Sequence, residues 1–210
     1  VYMSKKVCLI AGVGPGTGME CANRFSRGGY QVAMLARDKK RLNSLEKEIE
    51  DSHGYECDVS DLDHLVATLK QVAKDLGDPT ILIHNAVAGN IDGGGASRFM
   101  ESDPARLERN FRVNTTSLLY MARELAPAMI EAGEGAIVVT GNTSSTRGSA
   151  NFAYFAPTKA AQRILAEAMA RDLGPKGVHV AYILVDAAID TPRTRPIFAP
   201  EKPDEYFCKP

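Results

Sequence analysis

Short apolar runs alternate with longer amphipathic stretches along most of the chain, the pattern of a parallel sheet covered by helices on both faces. The segments 7–11, 31–35, 81–84, 136–140 and 179–185 are too short for helices and too continuously apolar for half-exposed strands, so they read as buried strands. A further short strand is predicted where Tyr55, Cys57 and Val59 alternate with polar residues. Helical spacing runs from Gly18 to Arg27, Arg41 to Ile49 and Leu62 to Leu76. It returns from Pro104 to Ala132, with Pro127 as a cap or kink, and from Ala156 to Leu173, with Pro157 in a first turn that needs no backbone donor. Residues 85–102, rich in Gly and Asn, read as loop, and the proline-rich segment 186–210 reads as a substrate-side loop or tail with no clear strand. The order predicts a single doubly wound α/β domain over residues 1–210, with a mostly parallel sheet of six or seven strands.

Composition removes several classes of function. The chain has 210 residues, enough for a sizeable core. A net charge of −1 with no long run of like charges leaves no electrostatic footprint for nucleic acid or an anionic membrane. No apolar stretch approaches the roughly 18 residues of a membrane span, and no charged-then-apolar leader is visible. Val1 and Tyr2 read as residues ahead of a native start at Met3. Cys8, Cys21, Cys57 and Cys208 lack metal or redox spacing and read as small apolar residues of a reducing compartment, which points to the cytoplasm. His53, His64, His84 and His179 share no metal spacing either and read as satisfied or solvated, so no metal site is expected.

The first apolar run leads into Ala11-Gly-Val-Gly-Pro-Gly-Thr-Gly18. Between a strand and a helix, glycines permit a tight turn, a close approach to a pyrophosphate and tight packing of the helix on the strand. The helix N-terminus adds unpaired N–H groups and a partial positive charge. The spacing is G-x-x-x-G-x-G, from Gly12, Gly16 and Gly18, and not G-x-G-x-x-G. This turn resembles that of the short-chain dehydrogenase/reductase family, T-G-x-x-x-G-x-G. The resemblance continues in order through Asp58-Val59, Asn85-Ala86 (with Val87 in place of the family's glycine), Val113-Asn114, Lys159 and Asp190-Thr191-Pro192.

The resemblance implies a Rossmann-type domain that binds a nicotinamide dinucleotide and acts on a small carbonyl or hydroxyl substrate. It implies Asp58 and Val59 at the adenine, Asn85 and Ala86 along the cofactor, Lys159 on the ribose and Thr191 on the nicotinamide amide. Asn114 in the family holds a water that links to the lysine in a proton relay. The family commonly assembles as a homodimer or homotetramer through its two long helices, here 104–132 and 156–173, and Ala160, Ala161, Ala166, Ala168 and Ala170 would let such helices approach closely. At the end of the second strand, where an acidic residue would repel a 2′-phosphate, stand Ala36 and Arg37. A guanidinium takes that phosphate in a charge-assisted pair, which favours NADP(H) over NAD(H). Asp38, one residue on, is the competing candidate.

Two chemically active side chains of the family are missing. The tyrosine that serves as general acid/base lies four residues before the lysine, and that position holds Phe155. The serine that orients the substrate oxygen lies thirteen residues before the tyrosine, and that position holds Asn142. Tyr154 is off by one helical step and would serve only if the backbone before Pro157 is not yet helical; Ser144 or Ser145 would serve only from a shifted loop. Asn142 retains an N–H to offer a carbonyl, a water near Lys159 would supply a proton, and Asp186 reads as a loop cap or a pocket carboxylate. A positioned acid/base is worth ~10² to 10⁴ in rate. Two functions therefore stay open: an NADP(H)-dependent oxidoreductase with an altered catalytic site, and a non-catalytic dinucleotide-binding or interaction protein that retained the fold.

Overall fold

The structure, a computed structural model, describes residues 5–89, 98–101, 103–198 and 202–210. Its main sheet has the order β3-β2-β1-β4-β5-β6, with every pair parallel. The strands are β1 (Val7–Ala11), β2 (Gln31–Ala36), β3 (Ser52–Glu56), β4 (Pro79–His84), β5 (Gly135–Asn142) and β6 (Val178–Val185). The helices are α1 (Thr17–Arg27), α2 (Lys39–Glu48), α3 (Leu62–Leu76), α4 (Ala105–Phe111), α5 (Ser117–Ala132) and α6 (Ala156–Leu173).

Period-2 alternation along β1 explains why both faces are apolar. Val7, Leu9 and Ala11 enter the core that holds α3, α5 and α6, while Cys8 and Ile10 enter the core that holds α1 and α2. Among the described residues, no helix is long and apolar enough to cross a membrane.

The strand order reverses between β1 and β4, and connections leave the two strands in opposite directions there, opening a crevice at their carboxyl ends. Gly12 makes the turn out of β1 at φ +93°, and its N–H donates to the Leu35 carbonyl at 2.9 Å. A Cβ at Gly12 would lie 2.5 Å from the Ala86 nitrogen, so the turns after β1 and β4 touch backbone to backbone. The Asn85 side chain pins them: its Nδ2 donates to the Gly12 carbonyl at 2.8 Å and its Oδ1 accepts from Thr140 Oγ1 at 2.9 Å.

Three local expectations need correction. The third strand ends before Cys57, because β3 pairs residue for residue with Val32–Ala36 and Asp58 then turns the chain by accepting from the Ser60 N–H. Cys57 and Val59 are buried core residues beyond its end. The helical run from Pro104 to Ala132 is continuous but not uniform: α4 and α5 flank a π-helical segment, Arg112–Thr116, and Pro127 sits inside α5 and does not cap it. The segment 186–210 contains a parallel two-stranded ribbon, β7 (Ala188–Ile189) with β8 (Phe207–Cys208), separate from the six-stranded sheet. Of the predicted loop 85–102, residues 90–97 and 102 lie outside the described residues, and Phe99–Glu101 form a 3₁₀ turn.

Gly12→Ala should cost about 3 kcal/mol, from the strained φ and the collision with Ala86 together. Gly29, also at positive φ (+84°) but with open space around it, is the control. Its alanine variant should lose only about 1 kcal/mol in urea denaturation.

Candidate active site

Four groups of residues meet along the crevice, beginning with the glycine turn. Helix α1 starts after Gly16 with no side-chain cap; the Met19 N–H donates to the Gly14 carbonyl at 3.2 Å, so it is the N–H groups of Thr17 and Gly18 that are left to whatever fills the crevice. A Cβ at Gly16 would lie 3.0 Å from Thr191 Cγ2 and 3.6 Å from Ile189 Cγ2, which places the 186–210 segment directly against the turn. That segment is held by Arg195, which donates to both Asp190 oxygens (2.9 and 2.6 Å) and to Asp204 at 2.5 Å. The guanidinium lies 4.1 Å above the Phe207 ring. Thr194 gives its hydroxyl proton to the Ile189 carbonyl, so the 2.9 Å contact between the two threonines spends the proton of Thr191 and leaves Thr191 a lone pair.

The second group lies beyond β2 and β3. Arg37 is exposed. Asp38 is the N-cap of α2, its Oδ1 accepting from the Arg41 N–H at 3.0 Å. Burial pushes the Asp58 carboxyl up; hydrogen bonds from Ser60, with Arg37 and Arg109 nearby, outweigh that and hold it below its ordinary value. Val59 and Ala86 are buried, and the Asn85 side chain is engaged in its staple through one N–H and its oxygen.

The third group is the wall formed by the end of β5 and the start of α6. Helix α6 begins at Ala156, so Tyr154 does precede the helix. Its hydroxyl nevertheless donates to the Phe99 carbonyl at 2.8 Å and its ring stacks on Phe99. Phe155 is fully buried. Ser145 donates to the Asn142 carbonyl at 2.7 Å within a 3₁₀ turn, while Ser144 is half-buried. Asn142, the last residue of β5, buries a side-chain Oδ1 that has no hydrogen-bond partner among the described residues. Asp186 is exposed.

The fourth group surrounds Lys159, which is 2% exposed. Its Nζ donates to the Thr140 carbonyl at 3.0 Å and to Gln162 Oε1, and lies 6.0 Å from the centre of the Tyr182 ring. Gln162 Nε2 reaches the Asn114 carbonyl at 2.5 Å and His84 Nδ1 at 3.2 Å, and His84 Nε2 is 2.8 Å from Ser117 Oγ. The Asn114 side chain clamps three elements: it accepts from the Ala88 N–H at 2.9 Å and donates to the Ala88 carbonyl at 3.0 Å and Thr158 Oγ1 at 2.8 Å. The π-helical turn directs it inward. Burial drives the Lys159 pKa down from 10.5 to about 7, and burial followed by the neighbouring Lys159 charge drives His84 down to about 3.

A glycine turn at a topological switch point is the arrangement of dinucleotide-binding sheets, and the comparisons identify which family this one is. The family profile described as short chain dehydrogenase matches residues 6–202. The chain belongs to the short-chain dehydrogenase family. It is 28% identical over 200 residues to the 7alpha-hydroxysteroid dehydrogenase of Escherichia coli (strain K12), covering 93% of this chain and 76% of that one. A metagenomic short-chain oxidoreductase in complex with NADP superposes with TM-score 0.80 at 26% identity, over 89% of this chain and 86% of the other. An NAD⁺-bound xylitol dehydrogenase gives TM-score 0.80 at 26% identity, over 89% and 71%. This short-chain dehydrogenase is thus an oxidoreductase by kinship.

Two residues of the site, Gln162 and Tyr182, were not singled out in the sequence, and His84 was read there only as a satisfied or solvated histidine. Gln162 and His84 lie 78 positions apart, so no spacing links them. Tyr182 covers Gly141, where a Cβ would meet the ring at 2.0 Å; the only signal was a glycine inside an apolar strand.

Between the folded pKa of Lys159, about 7, and the ordinary 10.5, the unfolded chain binds more protons than the folded one. Stability therefore rises with pH through that window. Lys159→Met removes this contribution. Urea midpoints of wild type minus variant should increase from about pH 7 to about pH 9.

Proposed function

We propose that this short-chain dehydrogenase uses NADP(H) to interconvert a small carbonyl compound and its alcohol, with a catalytic site altered from the family pattern. The observation that carries the cofactor preference is the place of Arg37, exposed directly after β2, with Asp38 one residue on engaged through Oδ1 as the N-cap of α2. The uncapped start of α1 suits a pyrophosphate, and Gly12 and Gly18 let the turn fold tightly enough, against Ala86 and against the turn's own backbone, to present that helix end to the crevice. Asp58 and Val59 border the adenine side. Asn85 and Ala86 form the floor, shaped by the staple to Gly12 and Thr140. Lys159 faces the ribose, and the remaining lone pair of Thr191 suits an amide N–H. When bound, the nicotinamide gives or takes a hydride.

The substrate side is built from what replaced the missing pair. Phe155 is an apolar wall. The unpartnered Asn142 Oδ1 is an acceptor and suits a hydroxyl hydrogen of the ligand. Asn114 contributes through its main-chain carbonyl, by way of Gln162, because its side chain is spent on the clamp. Assembly as a homodimer or homotetramer belongs to the same reading: Leu119, Tyr120 and Ile130 of α5 and Ile164 of α6 are exposed large apolar residues. So does a cytoplasmic location, supported by four free cysteines.

Fluorescence titration should find NADPH binding tighter than NADH, and Arg37→Ala should narrow the difference by about tenfold. Equal affinities in the wild type would reject the preference. On a panel of aldehydes and ketones the wild type should turn over slowly. Phe155→Tyr with Asn142→Ser should raise activity on some member by ~10² to 10⁴, and Phe155→Tyr alone by less. A double variant that folds and binds NADPH but stays inert would favour a binding protein over an enzyme.

A further inference from the structure

Lys159 is held by a buried set of groups whose proton positions can be worked out one after another. Ser117 Oγ donates to the Val113 carbonyl at 2.6 Å, so its oxygen is left to accept, and His84 Nε2 at 2.8 Å must carry the hydrogen. His84 Nδ1 is then bare and accepts from Gln162 Nε2 at 3.2 Å. The second hydrogen of that nitrogen goes to the Asn114 carbonyl at 2.5 Å. Both contacts demand a donor, so the amide cannot turn over, and Oε1 is directed at Lys159. The lysine nitrogen thus meets two fixed acceptors, Gln162 Oε1 and the Thr140 carbonyl at 3.0 Å. One valence of the three is left. Complete burial keeps His84 neutral at any working pH, which preserves this polarity.

We propose that Gln162 is a positioning residue: its amide, locked by His84 and the Asn114 carbonyl, orients Lys159 so that a single valence faces the ligand, as an N–H in the ammonium and as a lone pair in the amine. Through that valence Lys159 gives a proton to a ligand oxygen or takes one from it, where Phe155 offers no hydroxyl. This last step rests on the oxidoreductase reading of the crevice, whereas the positioning itself does not. The titratable groups facing Lys159 among the described residues are His84 from β4 and Tyr182 from β6; on α6, Arg163 turns instead to Glu167 and the Ser145 carbonyl. Lys159 titrates in the neutral range, where either form is accessible.

The test is competitive acetylation of the whole chain without dinucleotide, with the Lys159 peptide quantified by mass spectrometry across the neutral and alkaline range. Wild-type Lys159 should titrate near 7. Gln162→Glu sets a carboxylate against the ammonium and should move the midpoint up by about one pH unit or more. Gln162→Met keeps the length but removes the acceptor, and should move the midpoint down. A buried amide with a merely structural role predicts lower melting temperatures and an unmoved midpoint in both variants. That outcome, or displacement of both in the same direction, overturns the proposal. Should the methionine variant fail to melt cooperatively, the glutamate variant decides alone: a raised midpoint supports the proposal and an unmoved one overturns it. NADPH titration of the wild type, run in parallel, separates the two readings. Loss of NADPH binding rejects the proposed function without touching the Lys159 midpoints, and unmoved midpoints with normal NADPH binding reject only the role of Gln162.

Discussion

The backbone contact between Gly12 and Ala86 is the constraint on which the site depends. A side chain at Gly12 would push the turns after β1 and β4 apart at the point where the sheet reverses its order. With them in contact, Asn85 can reach both the Gly12 carbonyl and Thr140, and so couples β1, β4 and β5 at their carboxyl ends. The carbonyl of the same Thr140 accepts from Lys159. The glycine turn and the lysine, far apart in the chain, are therefore two ends of one hydrogen-bonded assembly.

Behind that edge runs a buried polar column through Asn114, Gln162, His84 and Ser117. Such groups are costly to bury unless every donor and acceptor is matched, and here the matching is close to complete. A fully satisfied network of fixed polarity resists rearrangement, which suits a site that must aim one amine. The exception is the Asn142 oxygen, buried without a partner among the described residues.

Much of the fold could be read from period alone. The continuous apolar runs located five strands within one or two residues at each end, and α6 has the predicted limits of Ala156 and Leu173. β3 was misplaced because Cys57 and Val59 are apolar for burial in a turn, and not for alternation on a strand. The π-helical turn at Arg112–Thr116 was invisible because one extra residue in a turn leaves an apolar pattern that still reads as helical. The ribbon of the 186–210 segment escaped because two-residue strands carry no periodic signal.

By itself the sequence determined that the glycine turn sits between the first strand and helix, and that Phe155 stands four residues before Lys159 at the start of one helix. These are facts of spacing along one strand or one helix, where distance in the chain converts directly into distance in space. Tertiary structure decided what each polar group does. It gave Asp38 to a helix cap, the Tyr154 hydroxyl to the Phe99 carbonyl and the Asn114 amide to a clamp. It also brought Gln162 and His84 together around Lys159. The physical reason is that a hydrogen bond is worth making only at about 3 Å and in line, and which donors and acceptors meet that condition is settled by packing across elements, not by order along the chain.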